Sequence, residues 1–376
     1  MTLMTSIGLM SGTSMDGVDV ALIRSDGESI VERGPSLEVE YDPDTRCKIE
    51  QGLVDAQLIG EDRDSRPGKL DGLEDLITGL HADAVARFLV LNNLHPGDID
   101  LIGFHGQTVL HRPHIGLTVQ LGNGRELAEA TGIPVVYDMR ANDMRTGGQG
   151  APLVPIYHRA LSQTLPRELH LDWPVAFVNI GGISNITYVP FDGELFAFDT
   201  GPGNALIDQW VQSAAGIPMD QGGKIASEGE INKTVLDRYL ASPYFAQELP
   251  KSLDRNDFKV PAPAEMELSD GARTLARLTA KSIFLACVHL PAAPQLWVIC
   301  GGGRKNKVIM DDLKQLAIAQ SSQVMSAEDV GFDGGAMEAE AFAYLAIRAS
   351  KNMPITFPRT TGCRRPVSGG ILVRPT

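Results

Sequence analysis

The chain has 376 residues, 43% of them hydrophobic, and a net charge of −14. That length and apolar content suit two domains better than one, and so acidic a surface works against nucleic-acid backbones and anionic lipid as partners. Four scattered cysteines (Cys47, Cys287, Cys300, Cys363) form neither a zinc-spaced pair nor a disulfide framework. The N-terminus has no basic region or cleavage site, and no apolar run reaches about 18 residues, so the reducing cytosol is the expected location and no membrane is expected as partner.

Residues 3–10 (LMTSIGLM) read as a buried strand. A Gly/Ser turn follows, and then Val18, Val20 and Leu22 alternate at period two, so the turn joins two strands. Residues 53–65 are polar and read as a loop, and 71–93 carry helical spacing. Residues 99–111 give a strand ending in the polar FHGQT. Next come a short strand, a glycine turn and a helix at 117–132, then the strand 133–140. The glycine-rich stretch 141–152 reads as a domain crossing or an active-site loop. Residues 173–190 restate the opening theme: apolar strand, Gly/Ser turn, second strand. Segment 193–216 is a strand, an acid, a glycine turn and a helix, with Asn204 expected to cap that helix. Residues 224–248 read as helical, 249–264 as Pro-rich loop, 270–290 as helix, 295–316 as strand, triple glycine and helix, and 332–350 as glycine turn and helix. The tail reads as loop.

A strand–turn–strand unit followed by alternating strands and helices is thus stated twice. This predicts a duplicated α/β architecture with a nucleotide held between its halves. The phosphate device is not a Walker loop, because GxxxxGK[ST] does not occur, and Gly201-Pro202-Gly203 lacks the third glycine of a dinucleotide fingerprint. What remains is a pair of turns, 12–17 and 181–185, whose backbone N–H groups and hydroxyls suit an anion nest, with glycine permitting close approach or positive φ. Either turn alone is equally an ordinary hairpin. The GGG at 301–303 and DTGPGN at 199–204 add further glycine turns at strand ends. Asp16 and Asp19 flank the first turn, where carboxylates beside phosphate commonly serve Mg²⁺ directly or through water. Asp16 is alternatively an Asx-turn residue. Asp199 ends the apolar strand FAF and is free to face a cleft. Glu338 and Glu340 sit early in a helix, where the dipole favours acids anyway. His105, His111 and His114 lack a metal-ligand pattern.

The motifs GTSMDGVDVAL, FHGQT, YDMR, GGQGAPLVP, NIGGISNIT, DTGPGN, PKSLDRNDF, CGGG and DGGAMEAEAFAYLA occur in that order. Together they resemble the anhydro-N-acetylmuramic acid kinase family over residues 6 to about 350. The resemblance implies the actin-like (ribonuclease H-like) two-domain ATPase fold, with ATP in the interdomain cleft. Residues 1–145 with about 352–376 would form one domain and about 146–351 the other. It also implies a cytosolic homodimer that works in cell-wall recycling. Such an enzyme uses ATP and Mg²⁺ to open the 1,6-anhydro bridge of anhydro-N-acetylmuramic acid with water and phosphorylate O6.

Carried over residue by residue, Gly12, Thr13, Ser14, Met15, Asp16, Gly17, Val18 and Asp19 match the ATP phosphate stretch. Gly181, Gly182, Ser184 and Asn185 would hold phosphate from the other half, and Gly301, Gly302 and Gly303 would pass near the adenosine. Asp199 matches the general base that activates water, and Glu338 a second acid beside that water. Asp16 and Asp19 would hold Mg²⁺, in all expectation through water. His105, Gln107, Thr108 and Gln120 offer donors and acceptors for the sugar. Arg140 and Arg145 are candidates for its lactyl carboxylate, as arginine pairs carboxylates bidentately. Residues 57–70 and 164–174 are expected to be surface segments without bearing on chemistry. Three alternatives stay in view: another sugar or acid kinase of this fold, a nucleotide-binding regulator or chaperone-like ATPase, and an actin-like filament protein.

Overall fold

The computed structural model describes residues 2–12, 15–166, 173–254 and 257–376. They form two compact units, Met1–Thr164 with Ala336–Thr376, and Leu165–Gly335. The first unit begins with the strands β1 (Met4–Ser11), β2 (Gly17–Ser25) and β3 (Val31–Glu40), then helices α1 (Pro43–Asp55) and α2 (Leu70–Leu91). Strands β4 (Leu101–Arg112) and β5 (Leu117–Leu121), helix α3 (Gly124–Thr131), strand β6 (Val135–Tyr137) and helices α4 (Ala141–Arg145) and α5 (Pro155–Ser162) complete its N-terminal part. The second unit holds β7 (Val175–Ile180), β8 (Ile183–Val189), β9 (Phe196–Pro202), α6 (Asn204–Ala215), α7 (Lys233–Leu240), α8 (Leu268–Leu285), β10 (Leu296–Cys300), α9 (Lys307–Ile318) and β11 (Gln323–Ser326). The chain then returns to the first unit with α10 (Met337–Ser350), α11 (Pro358–Thr361) and β12 (Ile371–Val373).

The two sheets repeat one topology. In the first, β1 is antiparallel to β2 and β2 to β3, while β4 runs parallel to β1 and β6 parallel to β4. In the second, β7, β8 and β9 form the same antiparallel meander, and β10 and β11 follow parallel to β7. The order β3-β2-β1-β4-β6 is therefore matched by β9-β8-β7-β10-β11. The fold is a duplicated α/β one in which each half has the ribonuclease H-like strand order of the actin-like ATPases, as the resemblance implies. The first sheet adds β5 beside β4 and β12 beside β6.

Local chemistry explains the helix starts. Asp42 accepts the Thr45 N–H at 2.7 Å ahead of Pro43, Asn123 accepts from Arg125 and Glu126, and Asn306 from Val308 and Ile309. Asn204 does not cap α6. It is the first helical residue, and its side chain donates to the Ile180 carbonyl at 3.2 Å, with Gly203 in the capping position. The apolar face of α2 buries Leu73, Ile77, Val85 and Phe88 against the first sheet, while Trp210, Leu275, Leu278, Trp297 and Ile309 fill the second core.

The division of the chain lies elsewhere than expected. Helix α10 packs on β1, β2 and β4, and Tyr157 of α5 donates to Glu340 Oε2 at 2.6 Å, so residues 146–164 and 336–351 belong with the first unit. Stretch 141–152 is not a domain crossing. The buried Asp143 pins it by accepting Gly150 N–H and Thr361 Oγ1–H, both at 2.7 Å. The tail is structured too, with β12 pairing antiparallel to β6.

Candidate functional site

The first glycine turn joins β1 to β2. Thr13 and Ser14 lie outside the described residues. Of its neighbours, Met15 takes the left-handed conformation (φ 56°) and donates its N–H to the Gly12 carbonyl at 3.2 Å. Positive φ is thus met by Met15, not by glycine. Gly17 is needed for space, since a Cβ there would stand 2.3 Å from the Val39 carbonyl oxygen of β3. Val18 is buried in β2, and Asp19 pairs with Met10 and Glu38 across the sheet. Gln107 is buried at the β1–β4 register shift; it accepts from Ser11 Oγ at 2.6 Å and donates to the Gly12 carbonyl at 3.2 Å. It therefore braces the turn from beneath. Burial pushes the Tyr41 hydroxyl up to about 12 against its hydrogen bond with Ser11, and the charges of Asp16 and Asp19 add to the rise.

Beside it the first unit gathers a polar cluster. Arg140 donates to the Gly150 carbonyl and to His105 Nε2, each at 2.9 Å. Burial, and then the Arg140 cation, push His105 down to about 3. His105 is therefore neutral, with its proton on Nδ1. Burial lowers Arg140 to about 10, opposed by Glu338 and Asp143. Glu338 is raised by burial and by Asp16, and lowered by Arg140. On the β4–β5 hairpin, Gln120 Nε2 lies 3.2 Å from Thr108 Oγ1 and 2.7 Å from Thr118 Oγ1. Its Oε1 is buried without a partner among the described residues.

His105 and Gln120 open onto a cavity of about 440 Å³ that Arg63, Arg66, Glu74, Asp138 and Arg145 also line. Arg63 forms a bidentate pair with Asp138 (2.7 and 3.0 Å) and Arg66 one with Glu74 (2.8 and 3.0 Å). The side chain of exposed Arg145 has no ion pair or hydrogen bond among the described residues.

The second unit brings its own glycine turns together at the strand ends. Gly181 and Gly182 join β7 to β8, and their carbonyls accept the N–H groups of Gly203, Asn204 and Ala205 at 2.7–3.2 Å. Neither has positive φ, and a Cβ on either would meet nothing closer than 3.4 Å. Gly302 is as open, with only Asn204 Nδ2 at 3.8 Å. These three glycines are required neither by the backbone nor by packing, so bare peptide there leaves room for a ligand. Gly301 and Gly303 differ: a Cβ would stand 2.1 Å from Asn179 Oδ1 at the first and 2.2 Å from Ile180 Cγ2 at the second. Ser184 is fully buried within the sheet, and Asn185 pairs opposite Asn179.

Asp199 sits on β9 at a register shift, where Asn185 faces Asp199 and Ser184 faces Gly201. The extra residue is Thr200, whose hydroxyl donates to the Ser184 carbonyl at 3.1 Å. Such a bulge re-aims the neighbouring side chain. The Leu253 N–H donates to Asp199 Oδ2 at 2.8 Å and the Tyr244 hydroxyl to the Asp199 carbonyl at 2.5 Å. Burial raises the Asp199 carboxyl to about 6, against the Leu253 N–H and the Lys251 charge.

The family model described as anhydro-N-acetylmuramic acid kinase matches residues 4–375. The chain belongs to the anhydro-N-acetylmuramic acid kinase family. It is 54% identical to the anhydro-N-acetylmuramic acid kinase of Agrobacterium fabrum and 55% identical to that of Brucella canis, in each case over 98% of both chains. Against the Rhizobium etli protein of the same name it is 53% identical over 99% of both. It is an enzyme, an anhydro-N-acetylmuramic acid kinase. Among solved structures it is similar to component A of the Acidaminococcus fermentans (R)-2-hydroxyglutaryl-CoA dehydratase (11% identity, 92% and 99% coverage, TM-score 0.46). It is also similar to a ROK family glucokinase from Streptomyces griseus in complex with glucose and AMPPNP (14% identity, 92% and 99% coverage, TM-score 0.41).

Arg63, Arg66, Asp138 and Lys251 carry no sign of a site in the sequence alone. The segment 57–70 is polar and rich in charge, which reads as a solvated loop, yet it turns two arginines into the cavity. Asp138 carries a structural sign that sequence cannot show: it holds a left-handed φ of 54° while pairing Arg63. All four cysteines are free, and no described helix is long and apolar enough to cross a membrane.

Proposed function

We propose that this kinase couples hydrolysis to phosphorylation. Water attacks the anomeric carbon of 1,6-anhydro-N-acetylmuramic acid as the C1–O6 bond breaks, the water proton passes to Asp199, and the released O6 takes the γ-phosphoryl group of ATP. The products are N-acetylmuramic acid 6-phosphate and ADP. The observation that carries this is the Asp199 carboxyl. It is half-buried, directed by a bulge and by the Leu253 N–H, and raised to about 6. A carboxylate with its basicity raised toward the working pH is what general-base catalysis needs. An ordinary sugar kinase needs a base on a sugar hydroxyl instead.

The other roles follow the same reading. Gly12 to Asp19 would hold the ATP phosphates from one unit, and Gly181, Gly182 and Gly302 from the other, with Gly301 and Gly303 shaping the latter. Ser184 and Asn185 would support that second turn. Asp16 and Asp19 would offer hard carboxylate oxygens beside the first turn. The described residues contain no group of three or more His, Cys, Asp or Glu placed to hold a metal; the two carboxylates are of the oxygen-donor type that Mg²⁺ takes while keeping several waters, and Mg²⁺ there would neutralise phosphate charge. Glu338, facing Arg140, would orient the water. His105, Thr108 and Gln120 would meet the sugar, and Gln107 would act by bracing the first turn. Cell-wall recycling in the cytosol, as a homodimer, completes the proposal.

Turnover with Mg-ATP in oxygen-18 water tests it. Label should appear at C1 of a 6-phosphorylated sugar; unlabelled product, or phosphorylation of hexoses that lack the bridge, overturns the reading. Arg145 is our choice for the lactyl carboxylate, because Arg140 is committed to His105 and Gly150 while Arg145 faces the cavity unpaired. A charge-assisted hydrogen bond contributes about 1.5–3 kcal/mol. Arg145→Gln should therefore raise KM for the anhydro sugar by roughly 10- to 100-fold with kcat little changed, and an unaltered KM would move the role elsewhere.

A further inference from the structure

Behind Asp199 the second unit buries a lysine that no step above uses. Lys251 is 7% exposed. Its Nζ lies 3.1 Å from His289 Nε2 and 3.4 Å from the carbonyl oxygens of Tyr244 and Phe245. The Tyr244 and Phe198 rings stand 4.7 and 5.5 Å from it, centroid to Nζ. Among the described residues no carboxylate reaches it at ion-pair distance. Burying a cation among neutral groups is unfavourable, and an apolar side chain of similar length would fill the space without that penalty.

The same segment holds Asp199 by its main chain. Asp199 N–H donates to the Lys251 carbonyl at 3.4 Å, and two residues on, the Leu253 N–H donates to Asp199 Oδ2 at 2.8 Å. We propose that Lys251 is a positioning residue for Asp199: its buried ammonium favours the ionised carboxylate, and residues 251–253 fix the direction in which that carboxylate points. This rests on Asp199 being the base. The electrostatics agree in sign. Burial drives Asp199 up and Lys251 down to about 8, and each charge opposes the other's shift. The remaining polar groups packed here are the Tyr244 hydroxyl, on the Asp199 carbonyl, and His289. Asp257 bears on Tyr244. The single His289 Nε2 lies near both Lys251 and the Phe245 carbonyl, so it accepts from lysine only when the imidazole proton is on Nδ1.

The test is the pH dependence of kcat/KM for the anhydro sugar in Lys251→Met, Lys251→Gln and Lys251→Arg, with binding of a nucleotide analogue followed alongside. Removing a neighbouring opposite charge typically raises a carboxyl by about one unit or more. Met and Gln should therefore shift the acidic limb upward by about one pH unit. Activity should fall about fivefold near pH 6, about tenfold at pH 5 and below, and much less near pH 8.5, with nucleotide affinity unchanged. Arg should return the limb toward the wild-type position. Gln keeps a polar, uncharged hydrogen-bond donor in the pocket, so it carries the test if the Met variant fails to fold. A loss uniform across pH with an unmoved limb would reduce Lys251 to a structural role and overturn the inference. Asp199→Asn serves as the control: retained turnover there sinks the base reading, whereas an inactive Asp199→Asn beside an unmoved limb in Lys251→Gln sinks this inference alone.

Discussion

Asp199→Asn should abolish turnover while leaving the protein better folded. General-base assistance is worth about 10²–10⁴-fold, and asparagine cannot take the water proton, so kcat should fall by at least that range. Nucleotide binding should persist, because the glycine turns at 181–182 and 302 do not depend on the carboxylate. The stability half of the prediction follows from the same burial. Burial holds the Asp199 carboxyl up at about 6 in the folded protein, above the ordinary aspartate value of about 3.8. A raised acid favours the folded state only while protonated: the contribution is full below about pH 4 and is lost as pH rises through about 6. The difference corresponds to about 3 kcal/mol at pH 8. Asparagine does not titrate, and its side-chain oxygen can still accept the Leu253 N–H. Denaturant unfolding should thus show the variant more stable than wild type by up to about 3 kcal/mol at pH 8, with the gap closing by pH 4. An active variant would remove Asp199 as the base; an inactive one that is less stable at pH 8 would mean the carboxylate is paired in the fold more strongly than its burial penalises it.

The features legible in the sequence alone are those with a local signature. Strands β1 and β7 are apolar runs that end in glycine turns, and β2 alternates at period two after its turn, so each strand–turn–strand pair reads directly. Asp199 stands out because a charge ends the apolar run FAF. Strand β3 (VERGPSLEVE) stays hidden: Gly34 and Pro35 interrupt it, and an edge strand tolerates both. Helix α1 hides behind its polar start, PDTRCKIEQ, and its single capping aspartate. The roles of Arg63 and Lys251 depend on partners 75 and 38 residues away. No window of sequence contains such pairs, and charge in a polar loop is most simply read as solvated. The glycines divide for a related reason. Sequence shows four glycine-rich turns alike, but only the packing separates Gly301 and Gly303, which their neighbours require, from Gly181, Gly182 and Gly302, which no described neighbour requires.

Gly8→Ala should cost the first unit about 3 kcal/mol or more. A Cβ at Gly8 would lie 1.7 Å from the Ala339 carbonyl oxygen and 2.6 Å from the Ala343 nitrogen. Both are backbone atoms of α10, so no side chain can swing aside. Gly103 on the adjacent β4 makes the same demand, with the Phe342 carbonyl oxygen at 2.1 Å. Glycine on the strands and alanine on the helix let α10 settle directly onto the sheet, which explains the alanine spacing of MEAEAFAYLA. For a unit of this size such a loss lowers Tm by roughly 6–12 °C, whereas Gly302→Ala, with nothing nearer than 3.8 Å, should leave Tm within about 1 °C. The same packing sets the chemistry of the site. Helix α10 presents Glu338 to the Arg140 guanidinium, and a helix lifted from its glycine seat carries Glu338 with it. The surviving folded fraction of Gly8→Ala should therefore also lose kcat, with KM for ATP less affected. If Gly8→Ala melts within about 2 °C of wild type, α10 is free to shift without loss, and the seat is not what positions Glu338.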